Sequence, residues 1–214
     1  MNNMTTITKR KKIGYSDVRA ARMVKETAPA HNSHVVFTYK DILSIPEGDL
    51  NKYELFEGEL IVSPSPYVEH EFVVANLMHA LSNYVRKNKL GVVLGSNAGM
   101  YFNEINYTEP DIKFISSEKL KNIHTHRINK SASLVVEVVS KGSRKHDYGF
   151  KMHKYAQQDI EEYWIADYGK KCVEVYTLNK KQYELHGRFS GKEYLKSLLL
   201  PKIRISIKNV FENV

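Results

Sequence analysis

The sequence predicts an α/β fold, and three patterns carry that reading. Two short alternating runs, 53–56 and 59–62, flank Glu57-Gly58, which is the signal of a β-hairpin. Across 69–88 the apolar residues Val73, Leu77, Ala80, Leu81, Tyr84 and Val85 recur at the three-and-four spacing of one helix face. The run Leu-Val-Val-Glu-Val-Val over 134–139 has the character of a strand buried on both faces.

Each element can be justified in order. Residues 1–34 mix Lys and Arg with Thr, Asn and Ser, hold no sustained apolar period beyond a short helical stretch at 17–26, and read as a flexible basic arm. The rest, 35–214, is expected to be a single domain. It opens near Thr38, a residue suited to cap a short helix over 39–43. After the hairpin, Pro64-Ser65-Pro66 breaks the sheet; the long helix follows, and Gly91 is expected to stop it. Strands are expected at 92–94, 98–102, 111–115 and 134–139. A Gly/Ser/Lys/Arg loop then leads into a helix over 147–157, and strands follow at 163–167, 172–178 and 182–186. The tail, 197–214, reads as a strand with a short terminal element.

Composition excludes several classes. At 214 residues with 42% apolar and 26% charged residues, the chain can bury one sizeable core. No apolar run approaches the roughly 18 residues of a membrane helix, and MNNMTTITKRKK lacks the apolar stretch of a signal peptide, so a cytoplasmic location is expected. The single cysteine, Cys172, can form neither an internal disulfide nor a zinc site by itself. No glycine-rich phosphate loop or dinucleotide fingerprint is present. The net charge of +8 is uneven: the first 34 residues hold seven basic against two acidic side chains, and 113–154 hold ten against three. Two basic blocks in an otherwise mildly acidic chain point to a polyanionic partner.

One residue is out of place for a core. Glu137 interrupts the apolar strand, where a carboxylate is costly unless a cation or hydrogen-bond donor meets it. Asp111, after Pro110, opens an earlier strand. Two carboxylates on neighbouring strands form a frame for a hard divalent cation, which leaves water positions open for phosphodiester hydrolysis. A nearby lysine would orient the water and stabilise developing charge.

These residues resemble the Uma-type restriction endonuclease family, within the PD-(D/E)XK nuclease superfamily. The matching pieces are Tyr53-Glu54-Leu55 with Gly58-Glu59-Leu60-Ile61-Val62, then Ser63-Pro64-Ser65-Pro66, Glu69-His70 and Pro110-Asp111. They continue with Leu134 to Ser140, Asp147 with Lys151 and Tyr155, Glu162-Tyr163-Trp164 with Asp167, and Val173 to Tyr176. The resemblance implies a restriction-endonuclease-like core, with a central mixed sheet flanked by helices, and a magnesium site at Asp111 and Glu137, manganese being the natural substitute. It also implies DNA as the partner and a homodimer. The wider superfamily places a lysine two residues after the second acid, where this chain has Val139. The Uma-type pattern places it on the following helix, and Lys151 fits, with Asp147 and Tyr155 four residues to either side on one face. Lys141 is the second candidate.

The expected site is therefore Asp111, Glu137 and Lys151, with the Val138 carbonyl as a further oxygen ligand. Glu54, His70, Lys141, Asp147 and Tyr155 are accessory candidates. The competing expectation is a nucleic-acid-binding protein that keeps the fold without turnover, for which Val139 is the motive. A third is an interaction protein whose basic arm serves solubility.

Overall fold

A computed structural model describes residues 35–46, 48–123, 128–129, 132–140 and 142–214. The expected basic arm and Lys141 lie outside the described residues.

Thr38 and Asp41 cap the first helix, α1 (Tyr39–Ile42): the Asp41 carboxylate accepts the Thr38 backbone N–H at 2.7 Å and its hydroxyl at 3.0 Å. The hairpin follows as β1 (Lys52–Phe56) and β2 (Glu59–Ser63), with Glu57 and Gly58 both at positive φ, as a two-residue turn between twisted strands requires. The long helix α2 (Val68–Lys87) buries Val73, Leu77, Leu81 and Val85, the stripe set by its sequence period.

Gly91 does not stop this helix. Asn88 is its C-cap, donating its side-chain amide to the Tyr84 carbonyl at 2.7 Å, and Lys89 turns the chain at positive φ. Gly91 opens β3 (Gly91–Gly95) and is glycine for another reason. At φ +148 a Cβ there would run into the Ile115 carbonyl of the neighbouring strand.

Next come β4 (Met100–Asn103), β5 (Asn106–Thr108), β6 (Ile112–Ser116), the short β7 (Ile128–Asn129) and β8 (Leu134–Val139). Neither β5 nor β7 was expected; at three and two residues they are too short to show a period. A helical stretch then runs through α3 (Arg144–His146), a π turn (Asp147–Lys151) and α4 (Met152–Gln157). It starts one turn before the expected position. Strands β9 (Glu162–Asp167), β10 (Cys172–Asn179) and β11 (Gln182–Ser190) follow. The expected strand in the tail is reduced to a two-residue pairing of β12 (Tyr194–Leu195) with β13 (Ile205–Ser206), followed by α5 (Ile207–Val210). In place of a strand at 198–200 the chain bends, with Leu199 and Leu200 packed on the core and Leu198 exposed.

The central sheet has the order β11-β10-β9-β8-β6-β3 and is mixed, with β8 and β9 parallel and the other neighbours antiparallel. One face packs through Phe114, Val136, Trp164 and Val175 against α2 and the C-terminal segment. The other packs through Ile115, Val135, Val139 and Ile165 against Tyr155 of α4 and against Met100 and Phe102 of a second sheet, ordered β2-β1-β5-β4-β7. Glu137 shares that second face by the two-residue alternation of β8. The fold thus places Glu137 where a sheet, a second sheet and a helix converge.

Candidate active site

Strand pairing brings the two expected acids together. Ile112 of β6 is in register with Val136 of β8, so Asp111, one residue before β6, stands level with Glu137. The Val138 N–H donates to Asp111 Oδ2 at 2.8 Å, tying the acid to the strand that carries Glu137. Asp111 is 7% exposed and Glu137 2%.

A cation meets Glu137 from the helix. Lys151, in the π turn, places Nζ 3.0 Å from Glu137 Oε1, 2.9 Å from Glu54 Oε2 and 3.8 Å from Asp147 Oδ1. A π turn inside a helix shifts the faces on either side of it, and here it carries Asp147 and Lys151, two of the site's buried polar side chains. Tyr155, one turn on, donates its hydroxyl to Glu137 Oε1 at 2.7 Å and lies 3.0 Å from the Thr108 hydroxyl. Thr108 in turn bonds Glu54, which also accepts the Glu109 backbone N–H at 3.1 Å. His70, in the first turn of α2, reaches Asp111 Oδ2 with Nε2 at 3.1 Å.

The structure therefore gathers Asp111, Glu137, Val138, Lys151, Glu54, His70, Asp147 and Tyr155 into one connected network. Glu59, on the same hairpin as Glu54, remains exposed beside the turn.

Three members of the site escaped the sequence reading. Lys52 of β1 places Nζ 3.1 Å from Asp111 Oδ1, and nothing in the sequence links residues so distant. Thr108 sits in the short β5. Lys113 is fully buried, with Nζ donating to the Gly95 carbonyl at 2.6 Å. The signal for Lys113 was present in Asp-Ile-Lys: two residues along a strand return a side chain to the same face.

The electrostatics separate the acids. Although burial opposes it, Lys52 and His70 hold the Asp111 carboxyl well below the usual carboxylate range. Against the same burial, Lys151 and Lys52 draw Glu54 down to about 2. Burial dominates at Glu137 and lifts its carboxyl to about 7, and it lifts Asp147 to about 6. Lys151, facing Glu137, Glu54 and Asp147, is raised well above its ordinary value despite its burial and is a fixed cation. Burial and the Lys52 charge lower Lys113 to about 8. Environments that push neighbouring carboxylates apart in this way are typical of sites that hold protons and charge in defined places.

Among the described residues, no group of three or more His, Cys, Asp or Glu side chains is placed to hold a metal ion. The donors that are present are two carboxylates on adjacent strands and a backbone carbonyl. In a strand, the N–H and C=O of one residue point to the same side, so the Val138 carbonyl faces the edge where its N–H meets Asp111. All three are hard oxygen donors, a set that suits magnesium, which takes one or two carboxylates and retains several waters.

Comparison with known proteins follows the same line. Residues 39–208 match the model of the Uma2 family, described as "Putative restriction endonuclease". A crystal structure of a putative nuclease belonging to DUF820, from Anabaena variabilis, superposes with a TM-score of 0.68 at 17% identity, covering 82% of this chain and 97% of that one. No curated protein matches the chain. Among the described residues, no helix is long and apolar enough to cross a membrane. With the family pattern matched from α1 to α5 and a nuclease-like fold beneath it, the chain belongs to the Uma2 family, whose assigned activity is that of a nuclease.

Proposed function

We propose that the protein is a magnesium-dependent endonuclease that hydrolyses DNA phosphodiester bonds, with manganese able to replace magnesium. The observation that carries this reading is the placement of the Lys151 ammonium against Glu137, with Asp111 level with Glu137 on the next strand.

Asp111, Glu137 and the Val138 carbonyl would hold the ion, which supplies charge neutralisation at the phosphate and an activated water when bound. The protein's own residues do the rest. Lys151 is held as a cation by Glu54 and Glu137, so it acts by donating hydrogen bonds and stabilising negative charge on the phosphate, and not as a base. Tyr155 fixes the Glu137 carboxylate through its hydroxyl, and Thr108 links that hydroxyl to Glu54. His70 and Lys52 orient Asp111 from opposite oxygens. Water supplies the nucleophile, one P–O bond breaks, and the strand is released with a phosphate on one end.

Val139 also has a physical account. It is fully buried in the apolar layer between sheet and helix, and the cation reaches the acids from the helix instead of from that strand position. Its presence is thus compatible with turnover. The test is incubation of the purified protein with plasmid and with short single-stranded DNA in magnesium, manganese or EDTA. Cleavage in either metal that EDTA abolishes is the expected result. Salt-sensitive DNA binding with no cleavage in either metal would instead establish the non-catalytic reading.

A further inference from the structure

One row of residues crosses the central sheet from the acid pair to its far edge. Ile165 of β9 is in register with Glu137 of β8 on one side and with Glu174 of β10 on the other, and Glu174 faces Arg188 of β11. At about 4.8 Å per strand, the Glu174 position lies roughly 10 Å from Glu137 on the same face. There the sheet, the start of the helical stretch and the β9–β10 turn enclose an open cleft of ≈ 690 Å³. Arg144, Lys145, Lys170 and Arg188 line it, together with Tyr148 and Tyr176.

The arginines of this cleft are held in place. Glu174, 1% exposed, accepts the Arg188 Nε–H at 2.6 Å and the Tyr176 hydroxyl at 2.8 Å. Asp167, fully buried, accepts the Arg144 Nε–H at 3.0 Å and the Lys170 backbone N–H at 3.0 Å. An ordinary surface ion pair has two mobile partners and is worth little. Here the carboxylate is buried and the cation exposed: the Arg188 side chain is 59% accessible. A guanidinium has five N–H donors in a rigid fork, so a carboxylate behind it fixes its plane and leaves outward donors for an anion. Lys145 and Lys170 add charge without close ion pairs, the Lys170 Nζ lying 3.7 Å from Asp167. None of these groups belongs to the Asp111–Glu137–Lys151 network.

We propose that this cleft binds the nucleic-acid strand flanking the scissile bond, with its phosphates on Arg188, Lys170 and Lys145 and a base or sugar against the tyrosine rings. Fixed guanidinium donors suit phosphate, and aromatic faces beside a basic track are the means by which single strands are gripped without sequence preference. The inference rests on the nuclease reading and extends it: the acids act at one phosphate while the cleft holds the same strand about three stacked base steps away, at 3.4 Å per step.

The test is binding of a fluorescent single-stranded oligonucleotide in EDTA, so that no cleavage intervenes, followed over a range of salt concentrations. Wild type is compared with Lys145→Gln/Lys170→Gln, with Arg188→Gln, and with a control of equal charge change outside the cleft, Lys202→Gln/Lys208→Gln. Circular dichroism checks that each variant is folded; the double lysine variant replaces two exposed side chains and keeps the test valid should Arg188→Gln unfold. The double cleft variant should bind about tenfold more weakly, with a salt slope shallower by about 1.4 for two lost phosphate contacts. In magnesium its KM should rise with kcat little changed. Equal affinity and slope in wild type and cleft variants would overturn the cleft and leave the nuclease reading standing. An equal loss in the control pair would overturn it as well. A mononucleotide competing as well as the oligonucleotide would assign the cleft to free nucleotide and reject the strand. A wild-type protein that binds no oligonucleotide would overturn the cleft as a strand site, and the plasmid cleavage assay would decide the nuclease reading separately.

Discussion

The Lys151 ammonium stands 3.0 Å from the Glu137 carboxylate, and the same ammonium lies 2.9 Å from Glu54 on the other side. All three side chains are almost fully buried, so the lysine neutralises two carboxylates that burial alone would leave uncompensated. Lys151→Ala should therefore abolish metal-dependent cleavage, by a factor of about 10² or more, and also lower stability by about 3–5 kcal/mol. Lys141→Ala should leave turnover near normal. Plasmid cleavage and urea unfolding of both variants give the comparison, and the opposite pattern would transfer the role to Lys141.

Tyr155→Phe keeps the ring in its apolar layer and deletes one hydroxyl. That hydroxyl donates to Glu137 and meets Thr108, so the variant should lose about 1–3 kcal/mol of stability and part of its turnover while still binding DNA. Chemical denaturation measures the first effect and single-turnover cleavage the second. A variant as stable as wild type would mean that water or another donor replaces the hydroxyl.

Gly91→Ala tests the packing of β3 on β6. The added Cβ would clash with the Ile115 carbonyl at a backbone angle that L residues rarely adopt, and the cost should be of order 1–3 kcal/mol or more. The thermal midpoint should fall accordingly. An unchanged midpoint would show that the strand edge shifts freely.

Glu54 carries a pH signature. Against its burial, Lys151 and Lys52 hold its carboxyl down to about 2 in the folded protein, below the ordinary 4.5. The unfolded chain therefore binds the proton more readily. The stabilisation is fully present above about pH 4.5 and is lost as pH falls towards 2. Glu54→Gln should flatten the dependence of the urea midpoint on pH across that window, measured in EDTA. An acid limb as steep as that of wild type would contradict it.

Much of this protein was legible in local pattern. The Glu57-Gly58 turn, the four-residue stripe on α2 and the run around Glu137 specify their elements because their information is contained within a few neighbouring residues. Glu137 also announced itself as a candidate, since a carboxylate in an apolar strand must meet a partner, and Lys151 meets it. The residue pattern placed Asp111 at the start of another strand, and the sequence resemblance singled out Lys151 on the helix that follows Glu137.

The tertiary structure decided what those residues touch. Lys52 reaches Asp111 across 59 positions because one sheet packs over the other, and Thr108 reaches Glu54 across 54 because β5 pairs with β1 within the second sheet; no periodicity encodes either contact. The short strands β5 and β7 exist only through their partners in the second sheet. Gly91 shows the difference most directly: its residue type read as a helix stop, whereas the requirement it meets is the close approach of the Ile115 carbonyl on a strand some two dozen residues later. By itself the sequence determined the longer elements, the two acids and Lys151; the packing of the two sheets and the helix, which excludes water and fixes charges at a few ångströms, decided which further cations and hydroxyls meet them.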